Sequence, residues 1–310
     1  MSLPTVSFVI VTYNSADTIE LCLASIAGHT AQSYEVAVVD NSPTDETAGA
    51  VQRFAAAHPE VQLHLIRPKE NVGFGRGCNL GARHSSGKYL FFLNPDTQLM
   101  NDAAASLVQC LSEHPGALAA GPAIFDSEGT VTRTCRRLPN LGHVVLDATG
   151  LDRWFGAYKL TRFAHDQAKQ IDQVIGAAMV MRRRDYERLG GMDEQFFIYF
   201  EEVDLCKRIQ QAGGEIWFWP DAQVQHLAGH SCETDSVRAR MIFVLRESRK
   251  KYFTKHYGVL GGLALEAVNR MEAIEKVTVL MALWMLQRKR AHREKAQGFW
   301  AVATGVAPQV

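Results

Sequence analysis

Residues 89–96 read Tyr89-Leu90-Phe91-Phe92-Leu93-Asn94-Pro95-Asp96. Large apolar and aromatic residues in succession describe a strand buried on both faces. The strand must stop at Asn94-Pro95, because proline has no N–H to give to a sheet ladder. A carboxylate, Asp96, is thus delivered at the carboxyl end of a central strand, the edge at which open α/β sheets bind ligands. Taken alone, the same residues also describe a strand followed by an ordinary Asn-Pro turn. The flanking chain bears on the choice.

Towards the N-terminus, Ser7 to Thr12 is a β-branched run that ends at Tyr13-Asn14-Ser15. Asn14 or Ser15 can cap a helix running through about Ile26. A second strand, Glu35 to Asp40, ends at Asp40-Asn41-Ser42, and Thr44 and Asp45 open a helix to about Ala57. A third strand, Val61 to Ile66, is closed by Pro68. The glycine-rich stretch from Asn71 to Gly77 then opens a helix to about His84. Strand and helix alternate up to Tyr89, which predicts an α/β fold: a mostly parallel, Rossmann-like sheet flanked by helices. In that sheet Thr12-Tyr13-Asn14, Asp40-Asn41-Ser42 and Asn94-Pro95-Asp96 share one edge. Each is also an ordinary cap or turn. Three together beside a glycine loop outline a nucleotide-shaped pocket.

Gly73, Gly75 and Gly77 alternate, but Cys78 stands where G-x-G-x-x-G needs its third glycine, and no G-x-x-x-x-G-K-[ST] occurs. Dehydrogenase and P-loop chemistry are therefore disfavoured. The stretch reads either as a turn before a helix or as backbone approached closely by a ligand, with Arg76 available for a phosphate.

On the carboxyl side, Asn101 reads as the cap of a helix to about Glu113, and Ala117 to Phe125 as a strand followed by an Asp126–Gly129 turn. From Arg133 to Gln170 the pattern weakens. This stretch, with Arg136, Arg137, Trp154, Tyr158 and Arg162, reads as a long loop, whether a lid or simply solvated charge. Order returns at Val174 to Met181. Glu201 and Glu202 follow Phe200 near a helix start. There a carboxylate is favoured by the helix dipole, or, pressed against Phe and Tyr, acquires a raised pKa and serves as a base. Asp204, Lys207 and Arg208 suit a solvated or paired helix face. Ile216 to Pro220 is a late strand leading to His226-Leu227-Ala228-Gly229-His230-Ser231. From Ser236 the chain reads as helical, interrupted at Gly258, Gly261 and Gly262.

The chain has 310 residues, 47% hydrophobic and 21% charged, enough for a sizeable core and against disorder. Its net charge is zero and gives no case for a nucleic-acid partner. Between Arg246 and Lys295, however, 12 basic residues face 5 acidic ones, a local surplus of seven. Val277 to Leu286 is apolar, too short to span a bilayer, and next to Arg288-Lys289-Arg290. It reads as a membrane-interface segment or as a packing or homodimer helix. The cysteines Cys22, Cys78, Cys110, Cys135, Cys206 and Cys232 form no C-x-x-C pair and read as reduced thiols of a cytosolic protein. No signal peptide and no run of about 18 apolar residues is visible, so no spanning helix is expected.

Seven stretches now stand in order: Val11-Thr12-Tyr13-Asn14, Asp40-Asn41-Ser42, Asn71 to Gly81, Phe92 to Asp96, Gly176 to Arg183, Phe196 to Arg208, and His226 to Ser231. Together they resemble the inverting glycosyltransferase family 2, in particular its rhamnosyltransferase-like branch, which builds bacterial cell-surface polysaccharides. The resemblance runs from about residue 7 to 231 and does not reach the chain after about Tyr257. It implies a GT-A fold over 1–235 with a helical extension over 236–310 that would serve either a membrane surface or a dimer contact. The implied donor is a dTDP- or UDP-sugar, held by Thr12, Tyr13, Asn14, Asp40, Asn41, Asn71, Gly73, Phe74, Arg76, Asn79, Asn94 and Asp96. Asp96 and His226 would bind Mn²⁺ or Mg²⁺, with Asn94 standing where the usual Asp-x-Asp has its first carboxylate. Many relatives carry Glu-Asp where this chain has Glu201-Glu202, which gives the base role to Glu202.

The expected activity is metal-dependent, inverting transfer of a sugar, foremost L-rhamnose from dTDP-rhamnose, onto a glycan or lipid-linked glycan at the inner face of the cell membrane. A non-catalytic nucleotide-sugar or glycan-binding protein and a sugar nucleotidyltransferase are the alternatives. Retention of Asp96, Glu202 and His226 speaks against the first. The missing glycine-rich basic signature near the N-terminus speaks against the second.

Overall fold

The computed structural model describes residues 4–149, 151, 158, 160, 163–227, 235–288 and 290–306. Trp154, Arg162, Ala228 to Ser231, Cys232 and Lys289 lie outside them. The elements run β1 (Val6–Thr12), α1 (Ala16–His29), β2 (Tyr34–Asp40), α2 (Glu46–Ala57), β3 (Gln62–Ile66), α3 (Phe74–Arg83), β4 (Tyr89–Leu93), β5 (Thr97–Leu99) and α4 (Ala103–Glu113). They continue with β6 (Ala117–Phe125), β7 (Val131–Thr132), α5 (Leu141–Ala148), β8 (Lys169–Ile171), β9 (Ala178–Arg182), α6 (Arg183–Arg188), α7 (Glu201–Gln211), β10 (Glu215–His226), α8 (Asp235–Gln287) and α9 (Arg290–Thr304).

Among the described residues the strands form one sheet in the order β3-β2-β1-β4-β9-β6-β10-β5, with β7 on β6 and β8 on β10. β3, β2, β1 and β4 are mutually parallel, with Thr12 opposite Asp40 and Ile10 opposite Leu93. The expected common edge is therefore real: β1, β2 and β4 all end on it. The other half is mixed. β9 is antiparallel to both β4 and β6, whereas β6 and β10 are parallel.

β4 lies between β1 and β9, and its five residues are all buried. Phe91 stacks on Phe8 at 5.2 Å between ring centroids, and Phe92 meets Tyr186 at 4.9 Å. Each such side chain stabilises the fold by about 1.5–3 kcal/mol through burial. The chain therefore has little freedom to move Asn94 and Asp96, which follow directly.

The structure changes some local expectations. Asp102, not Asn101, caps α4, accepting from Ala105 N at 3.0 Å. The Asn101 side chain instead bridges to β10, donating to Asp221 O at 2.7 Å and accepting from Gln223 N at 3.1 Å. The stretch from Arg133 to Gln170, read as loop, contains α5. α8 is interrupted only at Gly258 (φ 73°) and continues helically through Gly261 and Gly262.

The chain divides into two compact units. The first holds Met1–Leu138, Lys159–Phe197 and Glu201–Ser231, and contains the sheet; the second holds Pro139–Tyr158, Ile198–Phe200 and Cys232–Val310. Within the second, Glu272 is buried and pairs with Arg246 at 2.7 Å, Lys276 at 2.8 Å and Arg249 at 3.6 Å. No helix among the described residues is long and apolar enough to cross a membrane.

Candidate active site

At the carboxyl edge of β1 and β2, Thr12 Oγ1 donates to Asp40 Oδ1 at 3.0 Å, and Ser42 N donates to the same oxygen at 3.0 Å. Asp40 is 2% exposed. Its Oδ2 accepts no hydrogen bond and lies 3.6 Å from Arg67 Nε. A buried acceptor left without a donor is costly, so this oxygen fits a ligand N–H. Tyr13 lies beside it, 48% exposed. Asn14 adopts a left-handed conformation (φ 51°) and donates its N–H to Ser42 Oγ at 2.8 Å.

Asn41 clamps the glycine loop. Its Oδ1 accepts from Val72 N at 3.1 Å and its Nδ2 donates to Gly73 O at 3.3 Å, while Asn71 Oδ1 accepts from Gly73 N at 2.9 Å. Gly73 has φ 84°, and a Cβ there would collide with the Phe197 carbonyl. Phe74 N donates to that carbonyl oxygen at 2.7 Å. The glycine is thus required by a close backbone approach at the start of α3, and Phe197 stands 45% exposed beside it.

Arg76 and Asn79, both expected at the ligand, make contacts within the fold. Arg76 Nε donates to Glu194 Oε2 at 2.9 Å. Asn79 is buried and its amide is saturated within the fold. Its Nδ2 donates to Met192 O at 2.8 Å and to Glu194 Oε1 at 3.1 Å, while its Oδ1 accepts from Met192 N and the Tyr186 hydroxyl. Both side chains position the segment that leads to Phe197. Glu194 and Tyr186 are the participants that sequence reasoning missed, because nothing local marks residues more than a hundred positions from their partners.

Beyond β4, Asn94 N donates to Ala177 O at 2.9 Å. Asp96 is buried, with its Oδ1 3.1 Å from His226 Nε2. Leu227 N donates to the Asp96 carbonyl at 2.9 Å, which locks the end of β10 to this loop. Residues 130 positions apart in sequence are thus brought together as one carboxylate and one imidazole. Among the described residues no group of three or more His, Cys, Asp or Glu could hold a metal ion. Asp96 and His226 offer one oxygen and one nitrogen ligand, a set that would suit Mn²⁺ or Mg²⁺ if further ligands were supplied from outside these side chains.

Tyr199 and Phe200 both have positive φ (68° and 71°), a costly conformation for non-glycine residues that turns the chain sharply into α7. Glu201 and Glu202 follow and point to different surroundings. Glu201 is 4% exposed and packs towards Gly75 and Cys78 of α3. Burial, and secondly the charge of Glu202, raise its pKa well above the usual carboxylate range. Glu202 is half-buried and packs against Gly176, where an added Cβ would lie 3.4 Å from its Cγ. Gly176 precedes Ala177, the residue that binds Asn94, so Glu202 borders the Asn94–Asp96 loop. Asp204 is fully buried and paired with Arg208 at 2.8 Å rather than solvated.

A sheet edge that brings together the buried Asp40, the Asp96–His226 pair and, at the start of α7, Glu202 is the arrangement of a GT-A-like fold. The comparisons agree. The profile "Glycosyl transferase family 2" matches residues 7–190, and "N-terminal domain of galactosyltransferase" matches 162–230. The N-acetylglucosaminyl-diphospho-decaprenol L-rhamnosyltransferase of Mycobacterium tuberculosis (strain CDC 1551 / Oshkosh) is 31% identical over 244 residues, 73% of this chain and 77% of that protein. The mannosyltransferase PcManGT from Pyrobaculum calidifontis, solved with GDP-Man and Mn²⁺, superposes with TM-score 0.57 at 18% identity, over 98% of this chain and 87% of that one. GalNAc-T7, solved with UDP, GalNAc and Mn²⁺, gives TM-score 0.57 at 18% identity over 82% of this chain but spans only 50% of its own length. The chain belongs to glycosyl transferase family 2 and is a glycosyltransferase with rhamnosyltransferase relatives.

Proposed function

We propose that the chain transfers L-rhamnose, with inversion, from dTDP-L-rhamnose to a lipid-linked glycan. The observation that carries this reading is the position of Glu202 on Gly176, next to the loop that holds Asp96 against His226. Asp40 Oδ2 accepts the imide N–H of thymine or uracil, a donor that cytosine and adenine lack at the matching position. Glu202 takes the proton from the acceptor hydroxyl. The acceptor oxygen then bonds to the anomeric carbon while the bond from that carbon to the diphosphate oxygen breaks on the opposite face. Asp96 and His226 would hold a cation, which when bound would offset charge on the leaving diphosphate. Burial, and then the charge of Glu202, hold the pKa of Glu201 well above the usual carboxylate range, so the base role is assigned to the less buried Glu202.

The rhamnose and the polyprenyl-linked acceptor rest on the name of the mycobacterial relative. Incubation with a panel of nucleotide sugars and a synthetic GlcNAc-diphospho-polyprenol tests the reading, with product anomers assigned by NMR. Turnover of another sugar in preference to rhamnose, or retention at the anomeric centre, refutes it.

A further inference from the structure

Beyond Gly258, α9 packs along one side of α8, where Ala273, Ala296, Ala301 and Val302 are buried. The opposite side of α8 is apolar and open. Leu260 is 81% exposed, Met271 72%, Ile274 59% and Met285 58%. Ala264, Ala267 and Thr278 are exposed as well, and Met281 is partly so. Placed in order, Leu260, Ala264, Ala267, Met271, Ile274, Thr278, Met281 and Met285 are spaced alternately by four and three residues. That is the heptad seam of a coiled coil, held without a break, whereas a lone straight helix drifts by about 20° per heptad from such a repeat.

The charges beside the seam fit the same partner. Arg270 and Glu275 flank it on opposite sides, at the g and e positions, five residues apart. In a parallel pair of helices a g residue faces the e residue five positions later on the other chain. Arg270, which pairs with Glu266 of its own helix at 2.9 Å, would thus also face Glu275 of a second copy, and twofold symmetry would make the contact twice. Thr278, a polar residue within the seam, favours a single register. A helix lying in an anionic membrane surface instead rims its apolar face with Lys and Arg, and Glu275 in the middle of this one opposes that. Leu263, at a g position beside the seam, is also more than half exposed and widens the apolar face.

We propose that this chain self-associates in solution through a parallel pairing of α8 with α8 of a second copy, along the seam from Leu260 to Met285. The inference does not depend on the donor or acceptor assigned above.

Sedimentation of the full-length protein without lipid, over a range of concentrations, is the test. Wild type should sediment as a dimer. Ile274→Asp should raise the dissociation constant by about tenfold or more, with an unchanged far-UV circular dichroism spectrum as proof of folding. Arg270→Glu should weaken the dimer, and adding Glu275→Arg should restore it. A wild type that stays monomeric, or a dimer indifferent to Ile274→Asp, overturns the proposal. So does a monomer that floats with phosphatidylethanolamine/phosphatidylglycerol vesicles, which would assign the stripe to lipid. Failure of the double charge reversal to restore association overturns the parallel arrangement.

Discussion

A base must lie within hydrogen-bond reach of the hydroxyl it deprotonates and must be ionised when it acts. On the proposed reading the base is Glu202, half-buried at Gly176, rather than Glu201, 4% exposed beneath α3. Glu202→Gln keeps size and most hydrogen bonds but cannot accept the proton. Transfer should fall by about 10²–10⁴-fold, with donor affinity by calorimetry nearly unchanged. Retention of transfer within a few-fold of wild type moves the base elsewhere. Asp40→Asn replaces the buried acceptor with a group that can present N–H to the imide N–H. Affinity for dTDP and UDP should drop by about tenfold or more, the cost of an unmet buried polar contact, and an unchanged affinity would remove Asp40 from the base pocket. Asp40, Asp96 and Glu202 were legible in sequence because each follows a strand or opens a helix, where local pattern fixes position. The pairing of Arg76 and Asn79 with Glu194 was not legible, because Glu194 is more than a hundred residues away and no local pattern announces it.

The turn into α3 shows how one element depends on another. Gly73 stands at φ 84° with the Phe197 carbonyl against its α-carbon, and Phe74 N bonds to that carbonyl at 2.7 Å. Gly73→Ala therefore pays twice, in left-handed strain of about 1–3 kcal/mol and in a collision with backbone that cannot rotate away. The melting temperature should fall and nucleotide affinity should fall with it, since Asn41 holds the same loop. A variant with wild-type stability and affinity would mean that the loop yields freely. The β–α alternation up to β4 was readable because each strand is a continuous apolar run closed by a polar turn. The direction of β9 was not, since the Ala178–Arg182 run is compatible with either orientation, and only its pairing with β4 and β6 decides. β5, β7 and β8 have two or three residues each, too few for periodicity to register.

Stability of the whole molecule should follow a dome in pH whose two sides have different owners. Glu35 is 1% exposed; burial pushes its carboxyl up, but hydrogen bonds from Ser7, Ser86 and Gly87 outweigh that and hold it below the usual range. Glu272 is likewise pushed up by burial and brought below it by Arg246 and Lys276. Both contribute stability that is present above the ordinary carboxylate value of about 4.3 and is lost as pH falls through their lowered pKa values. Glu201 acts in the opposite sense. Its pKa is raised, first by burial and then by Glu202, so its contribution is complete below the ordinary value and is lost as pH rises towards its raised one. One proton of difference gives a slope of at most about 1.4 kcal/mol per pH unit. Glu201→Gln should therefore gain on wild type as pH rises above about 5, the gain levelling off at the raised pKa, with no gain near pH 4. Urea unfolding of both proteins between these limits measures it. Glu202→Gln provides an internal check, because removing the neighbouring charge lowers the pKa of Glu201 and should shorten the range of pH over which wild type declines. Parallel pH profiles for wild type and Glu201→Gln would mean that Glu201 is ionised in the folded protein, and the division of labour between the two glutamates would then have to be reversed.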